Sequence, residues 1–152
     1  MKVVVLGGSK GLGKLLSSYF KLKNSDVKEF GKSSSVDEVV SVAKTGDVFI
    51  CNAYADGTQL NYIETLKDYN IKIIVSGSIA ADSPDPDMPV YSLDKKNLRE
   101  RVLEISQCRD TCKADVLLLT LTGTAVNEYQ TIHNTIDYWL ENSTINEIRF
   151  TI

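Results

Sequence analysis

Three residue types at particular separations open a chemical question: Ser78, Tyr91 and Lys95. A phenol, with an ordinary pKa of about 10, is a poor acid–base catalyst at neutral pH, and an ammonium close by favours its ionised form and brings it towards the working range. Residues four apart share one face of a helix, so Tyr91 and Lys95 would point the same way. A serine hydroxyl can hold a carbonyl oxygen while the phenol passes it a proton. Ser78 closes the stretch VSGS, residues 75–78, thirteen positions before Tyr91. Such a set suits the reduction of a carbonyl or the oxidation of an alcohol. A second pair of the same spacing, Tyr19 and Lys23, serves as an internal control: Tyr19 continues an apolar helical stripe and is expected in the core, with no serine thirteen positions before it at the end of an apolar strand.

A second motif lies at the other end of the chain. In VVVLGGSKGLGKLL, residues 3–16, Gly7, Gly11 and Gly13 fall between an apolar run and a helical pattern. A turn of this kind brings backbone amides to a pyrophosphate, aims a helix N-terminus at it and lets helix and strand pack closely.

The elements that must carry these motifs alternate. Strands are expected at 2–7, 26–30, 48–52, 71–76, 115–121 and 145–152, and helices at 12–22, 36–44, 59–69, 92–107 and 129–140. Strands that are apolar almost throughout suit a parallel sheet covered on both faces, and the intervening helices imply right-handed crossovers. The fold class is therefore α/β, a Rossmann-like doubly wound parallel sheet of six strands, with the 152 residues forming one domain. In such a sheet ligands sit beyond the carboxyl ends of the strands, where both the glycine turn and Ser78 would fall. The stretch 82–89, rich in Asp and Pro, reads as a loop beside that crevice.

Composition narrows the partners. With 43% apolar and 24% charged residues and a net charge of −3, the chain has the make-up of an ordinary globular protein and lacks the basic field that nucleic acid or an anionic membrane would need. The apolar run at residues 3–6 is too short for a signal-peptide core or a membrane span. Three cysteines, Cys51, Cys108 and Cys112, and a single histidine, His133, show no metal-ligand spacing, so a reduced, cytoplasmic, metal-free protein is expected.

With these pieces in order the sequence resembles the short-chain dehydrogenase/reductase family, nearly from end to end. Gly7, Gly8, Ser9, Lys10, Gly11, Leu12 and Gly13 look like the family's cofactor turn, and Cys51-Asn52-Ala53-Tyr54 like its Asn-Asn-Ala-Gly strand end. Ser78, Tyr91 and Lys95 look like its catalytic serine, tyrosine and lysine. Residues 121–127, LTGTAVN, look like its Pro-Gly segment, with Thr122 in place of proline. The resemblance implies that Gly123, Ala125 and Asn127 flank a nicotinamide, that Lys95 also binds its ribose, that Ser76 and the 52–54 segment line the cofactor site, and that the chain forms homodimers or homotetramers. The chain is shorter than the family's usual members. One strand–helix unit, with its acidic residue near adenine, is missing, and no substrate lid follows Asn127. No asparagine falls where the family's fourth catalytic residue stands, Asn61 being the nearest. The pocket is then expected to be open, or to be completed by another subunit or by the loop 82–89.

Lys10 in the glycine turn, and Lys32 with Ser33 after the second strand, favour NADPH/NADP over NAD, although Glu29 is close. The expected function is an NADPH-dependent oxidoreductase acting on a small carbonyl or alcohol. The alternatives are a dinucleotide-binding regulatory or scaffold protein without turnover, or an epimerase that returns hydride to the same substrate.

Overall fold

A computed structural model describes residues 1–55, 57–121 and 129–150. Its elements run β1 (Lys2–Leu6), α1 (Gly11–Leu22), β2 (Asp26–Phe30), α2 (Val36–Ala43), β3 (Val48–Cys51), α3 (Thr58–Leu66), β4 (Lys72–Ser76), a 3-10 turn (Ile79–Ala81), α4 (Pro89–Gln107), β5 (Asp115–Leu121), α5 (Tyr129–Asn142) and β6 (Glu147–Phe150). The six strands form one parallel sheet in the order β2-β1-β3-β4-β5-β6.

Alternation along the strands builds two apolar layers, one on each face. Val4, Leu6, Phe49, Cys51, Ile73 and Val75 pack with Val39 of α2, Tyr62, Ile63 and Leu66 of α3, and Leu98, Val102 and Ile105 of α4. Val3, Val5, Ile50, Ile74, Leu117 and Leu119 face the other way, against Leu15, Leu16, Tyr19 and Phe20 of α1 and Ile132, Ile136 and Trp139 of α5. The edge strand β2 is polar and largely exposed until Phe30, because only one side of it is paired. Successive strands leave β1 in opposite directions, to β2 and then to β3. The crevice of the fold therefore opens above β1 and β3.

Helix α4 begins at Pro89, earlier than the expected 92, since proline at the first helical turn sacrifices no hydrogen bond there. The last strand ends its described course at Phe150, residues 151 and 152 lying outside the described residues. The loop 82–89 is tied down. Asp82 pairs with Arg99 at 3.4 Å and with Arg149 on β6, and the Ser92 hydroxyl accepts a hydrogen bond from the Asp85 amide at 2.8 Å. The two guanidiniums hold the Asp82 carboxyl below its usual range, Arg149 contributing more than Arg99.

Tyr19 is buried as expected, and its hydroxyl donates to Asp137. His133 packs its ring on Tyr19, centroids 4.7 Å apart. The three cysteines are free thiols, and among the described residues no three metal-ligating side chains converge. No described helix is long and apolar enough to cross a membrane.

Candidate active site

The glycine turn is shaped by two close approaches. Gly7 has φ +83°, and a Cβ there would stand 2.8 Å from the Ala53 amide nitrogen. Gly13 packs the first turn of α1 so tightly that a Cβ would meet the Gly7 carbonyl oxygen at 2.1 Å. The turn is bound to its neighbours through Gly7 N–H to the Phe30 carbonyl at 2.9 Å and Asn52 Nδ2 to the Gly7 carbonyl at 3.0 Å. The N-cap residue of α1, Lys10, makes no side-chain capping hydrogen bond, and uncapped N-terminal amides suit an anion.

Two adjoining cavities occupy the crevice and share Asn52 in their walls. The larger, about 620 Å³, is lined by Gly7, Gly8, Ser9, Lys10, Glu29, Phe30, Gly31, Lys32, Ser33, Asn52 and Ala53. Two lysines and one carboxylate thus meet in its wall. Glu29 is drawn towards α1 by the Ser17 hydroxyl and by Lys21 at 3.1 Å, and these contacts hold its carboxyl below the ordinary range, Ser17 first.

The smaller cavity, about 340 Å³, is lined by Gly11, Leu12, Leu15, Asn52, Tyr54, Ser76, Gly77, Tyr91, Lys95, Leu119 and Leu121. Tyr91 and Lys95 reach it together from the start of α4, with the Lys95 Nζ 5.6 Å from the centre of the Tyr91 ring. The Tyr54 ring stands edge-on to Tyr91, centroids 4.8 Å apart, and its hydroxyl donates to Asp94 at 2.7 Å. Lys95 is only 3% exposed. Its ammonium donates to Gln59 Oε1 and to the Ser76 carbonyl, both at 2.7 Å. Burial pushes its pKa down to about 8, with the thiol of Cys51 and Asp94 pulling the other way.

Most of the residues singled out by sequence therefore line one of the two cavities, and the exceptions are informative. Ser78 is half-buried and its hydroxyl accepts from the Ala80 amide at 3.1 Å, capping the 3-10 turn. Ser76 and Gly77, not Ser78, stand in the cavity wall. Gly13 lies beneath the turn and serves packing. The loop 82–89, one of the three alternatives for the pocket, contributes no wall residue to either cavity; its Asp82 is held by Arg99 and Arg149. Asn61 is exposed on α3, since it points away from the face made by Gln59, Tyr62, Ile63 and Leu66. Thr122, Gly123, Ala125 and Asn127 lie outside the described residues.

Sequence inspection missed Gln59. Its signal was present: a polar residue at a position of the buried stripe 59, 62, 63 and 66 of α3. The control pair is equally instructive. Lys23 Nζ lies 5.6 Å from the Tyr19 ring centre, the same distance as in the site, yet both side chains are engaged by Asp137. The four-residue spacing creates the juxtaposition by itself, and the crevice distinguishes one pair from the other.

By sequence, no family model and none of the curated proteins matches the chain. Solved structures match it by shape. A short-chain dehydrogenase from Burkholderia cenocepacia in complex with NADP is 13% identical, covers 97% of this chain and 95% of its own, and superposes with a TM-score of 0.67. A short-chain dehydrogenase/reductase described as glucose/ribitol dehydrogenase from Brucella melitensis is 13% identical over 99% of this chain and 97% of its own, TM-score 0.69. A 3-alpha-hydroxysteroid dehydrogenase from Pseudomonas sp. B-0831 complexed with NADH is 12% identical over 98% and 95%, TM-score 0.63. The chain carries the fold of the short-chain dehydrogenase structures, a six-stranded parallel sheet with five helices in two layers.

Proposed function

We propose that the chain is an NAD(P)-dependent oxidoreductase of the short-chain dehydrogenase kind, reducing a small carbonyl compound or oxidising the corresponding alcohol, with NADPH preferred. The observation that carries this is the pair of cavities meeting at Asn52, an amide-lined turn in one and Tyr91 with Lys95 in the other. The residues suit a dinucleotide: a Cβ on Gly11, φ +51°, would meet nothing within 4 Å, so the backbone there opens onto free space in front of the α1 amides. The structural neighbours hold NADP or NADH, which supports the same class of ligand here.

Gly7, Ser9, Lys10 and Gly11 would hold the pyrophosphate, while Lys32 and Ser33 would meet the 2′-phosphate on the adenosine side. Glu29 is also in that wall, its carboxylate engaged by Ser17 and Lys21 of α1. Bound, the dinucleotide supplies or accepts the hydride. Tyr91 delivers the proton to the substrate oxygen, and Lys95 stabilises the charge left on the phenol. Ser76 and Gly77 shape the wall facing it, and Ser78, one residue beyond, orients the oxygen through its O–H, which accepting from the Ala80 amide does not consume. Exposed Ile79, Met88, Val90 and Leu93 support assembly into a homo-oligomer, which sedimentation of the purified chain tests.

Calorimetric titration with NADPH and with NADH tests the central assignment. Micromolar NADPH binding, tighter than NADH, followed by NADPH consumption with a carbonyl panel, is the expected result. A folded chain that binds neither nucleotide overturns it. The place of Ser78 outside the cavity wall favours one second reading, a dinucleotide-binding protein without turnover, which tight binding with no consumption across the panel would establish.

A further inference from the structure

The most heavily connected polar side chain behind the cavity belongs to Gln59. It is 3% exposed, and each polar atom of its amide is engaged. Nε2 donates to the Cys51 carbonyl at 3.0 Å and to the Ser76 hydroxyl oxygen at 2.9 Å. Oε1 accepts from the Lys95 ammonium at 2.7 Å. The orientation of the amide has one satisfactory solution. Flipping it would set Oε1 against a carbonyl oxygen and an NH₂ group against an ammonium, two repulsive contacts in a buried place. Three elements thereby converge on one nitrogen: β3 through Cys51, β4 through Ser76, and α3 through Gln59 itself.

An ammonium has three donors. For Lys95, Gln59 and the Ser76 carbonyl take two, leaving one N–H on a side chain that lines the smaller cavity. Among the described residues, the other groups around it are Asp94 and Tyr91 of α4, Tyr54 after β3, whose ring centre is 5.7 Å away, and the buried Cys51 thiol, which burial pushes up to about 12. Asp94 is the one charged side chain among them, and it accepts from Tyr54.

We propose that Gln59 is a positioning residue: its amide, locked by Cys51 and Ser76, fixes the Lys95 ammonium beside Tyr91 and leaves its third donor for the cavity. This rests on Tyr91 and Lys95 being the proton-handling pair, and its structural part can be tested without turnover.

Two resonances in the intact chain report on it. With lysine carbon-labelled at Cε, the Lys95 signal is identified by its loss in Lys95→Met, and its titration midpoint is read by NMR. Gln59→Glu replaces the neutral acceptor by an anion and is expected to raise that midpoint by about one pH unit or more, a tenfold change in proton affinity. An unmoved midpoint in the folded variant overturns the proposal. In the unsubstituted protein, where folding of a variant is not in question, the Gln59 side-chain amide signal is identified by elimination with Gln107→Glu and Gln130→Glu. It is expected to shift with the midpoint of Lys95, and an amide insensitive to that titration overturns the contact. Once a substrate is in hand, the alkaline limb of kcat should follow the Lys95 midpoint upwards in Gln59→Glu. A limb that stays in place while the midpoint moves removes the catalytic consequence. Absence of any nucleotide binding or turnover would defeat the oxidoreductase assignment while leaving both titrations intact.

Discussion

Asn52 Nδ2 donates to the Gly7 carbonyl oxygen at 3.0 Å, and this bond joins the end of β3 to the glycine turn. It also sits where the two cavities meet, so the residue that ties the turn in place is part of both walls. The bond needs Gly13, whose missing side chain would otherwise stand 2.8 Å from the same Nδ2 and 2.1 Å from the same carbonyl.

Gly13→Ala should therefore destabilise the chain by about 1–3 kcal/mol, the usual cost of forcing extra volume into a packed site, because the obstructing atom is backbone and cannot swing away. Nucleotide binding should weaken along with stability. Denaturant midpoints with and without NADPH measure both, and an alanine variant as stable as the parent would contradict the close packing.

Lys95 links stability to pH. Its folded pKa of about 8 lies below the ordinary 10.5, so between these values the unfolded chain binds more protons than the folded one. Its contribution is then unfavourable below pH 8 and is relieved as pH rises towards 10.5, by on the order of 3 kcal/mol in total. Comparing the parent with Lys95→Met across that window isolates the effect. The parent should gain on the variant with rising pH, and parallel curves would mean that the ammonium is not desolvated.

Tyr91→Phe keeps the ring against Tyr54 and removes only the hydroxyl. Turnover should fall by about 10²–10⁴-fold, the usual worth of a positioned acid, with NADPH affinity retained. Steady-state rates alongside calorimetry decide it, and an active phenylalanine variant would remove Tyr91 from the chemistry.

Lys32→Ala probes the nucleotide preference. Removing a cation from the wall of the larger cavity should weaken NADPH several-fold and leave NADH little changed, because only NADPH has the extra phosphate. Equal effects on both nucleotides, or none, would count against the assignment.

Much of the frame was legible because periodicity is a local property. The strands Asp26–Phe30 and Asp115–Leu121 have the expected limits, and the remaining described elements shift at their ends by a few residues, as where Pro89 opens α4 before Ser92. The glycine turn was legible for the same reason, since strand, glycines and helix follow one another in the chain.

The site depended on contacts that spacing does not encode. Tyr91 and Lys95 looked no different from Tyr19 and Lys23 by separation, and both pairs have the same distance from ammonium to ring. Only the packing of α1 against α5 brings Asp137, 118 positions away, onto Tyr19. Only the sheet order brings Gln59, 36 positions before Lys95, against its ammonium. The loop 82–89 follows the same logic: its acidic composition is visible locally, whereas its attachment to Arg149, 67 positions on, is not. The amino-acid sequence alone determined the alternation of elements, the sheet class and the turn, because these follow from side-chain periodicity and backbone preference along a few residues. The tertiary structure decided which polar groups share a buried space, because a hydrogen bond or an ion pair depends on distance in three dimensions and on the water excluded around it.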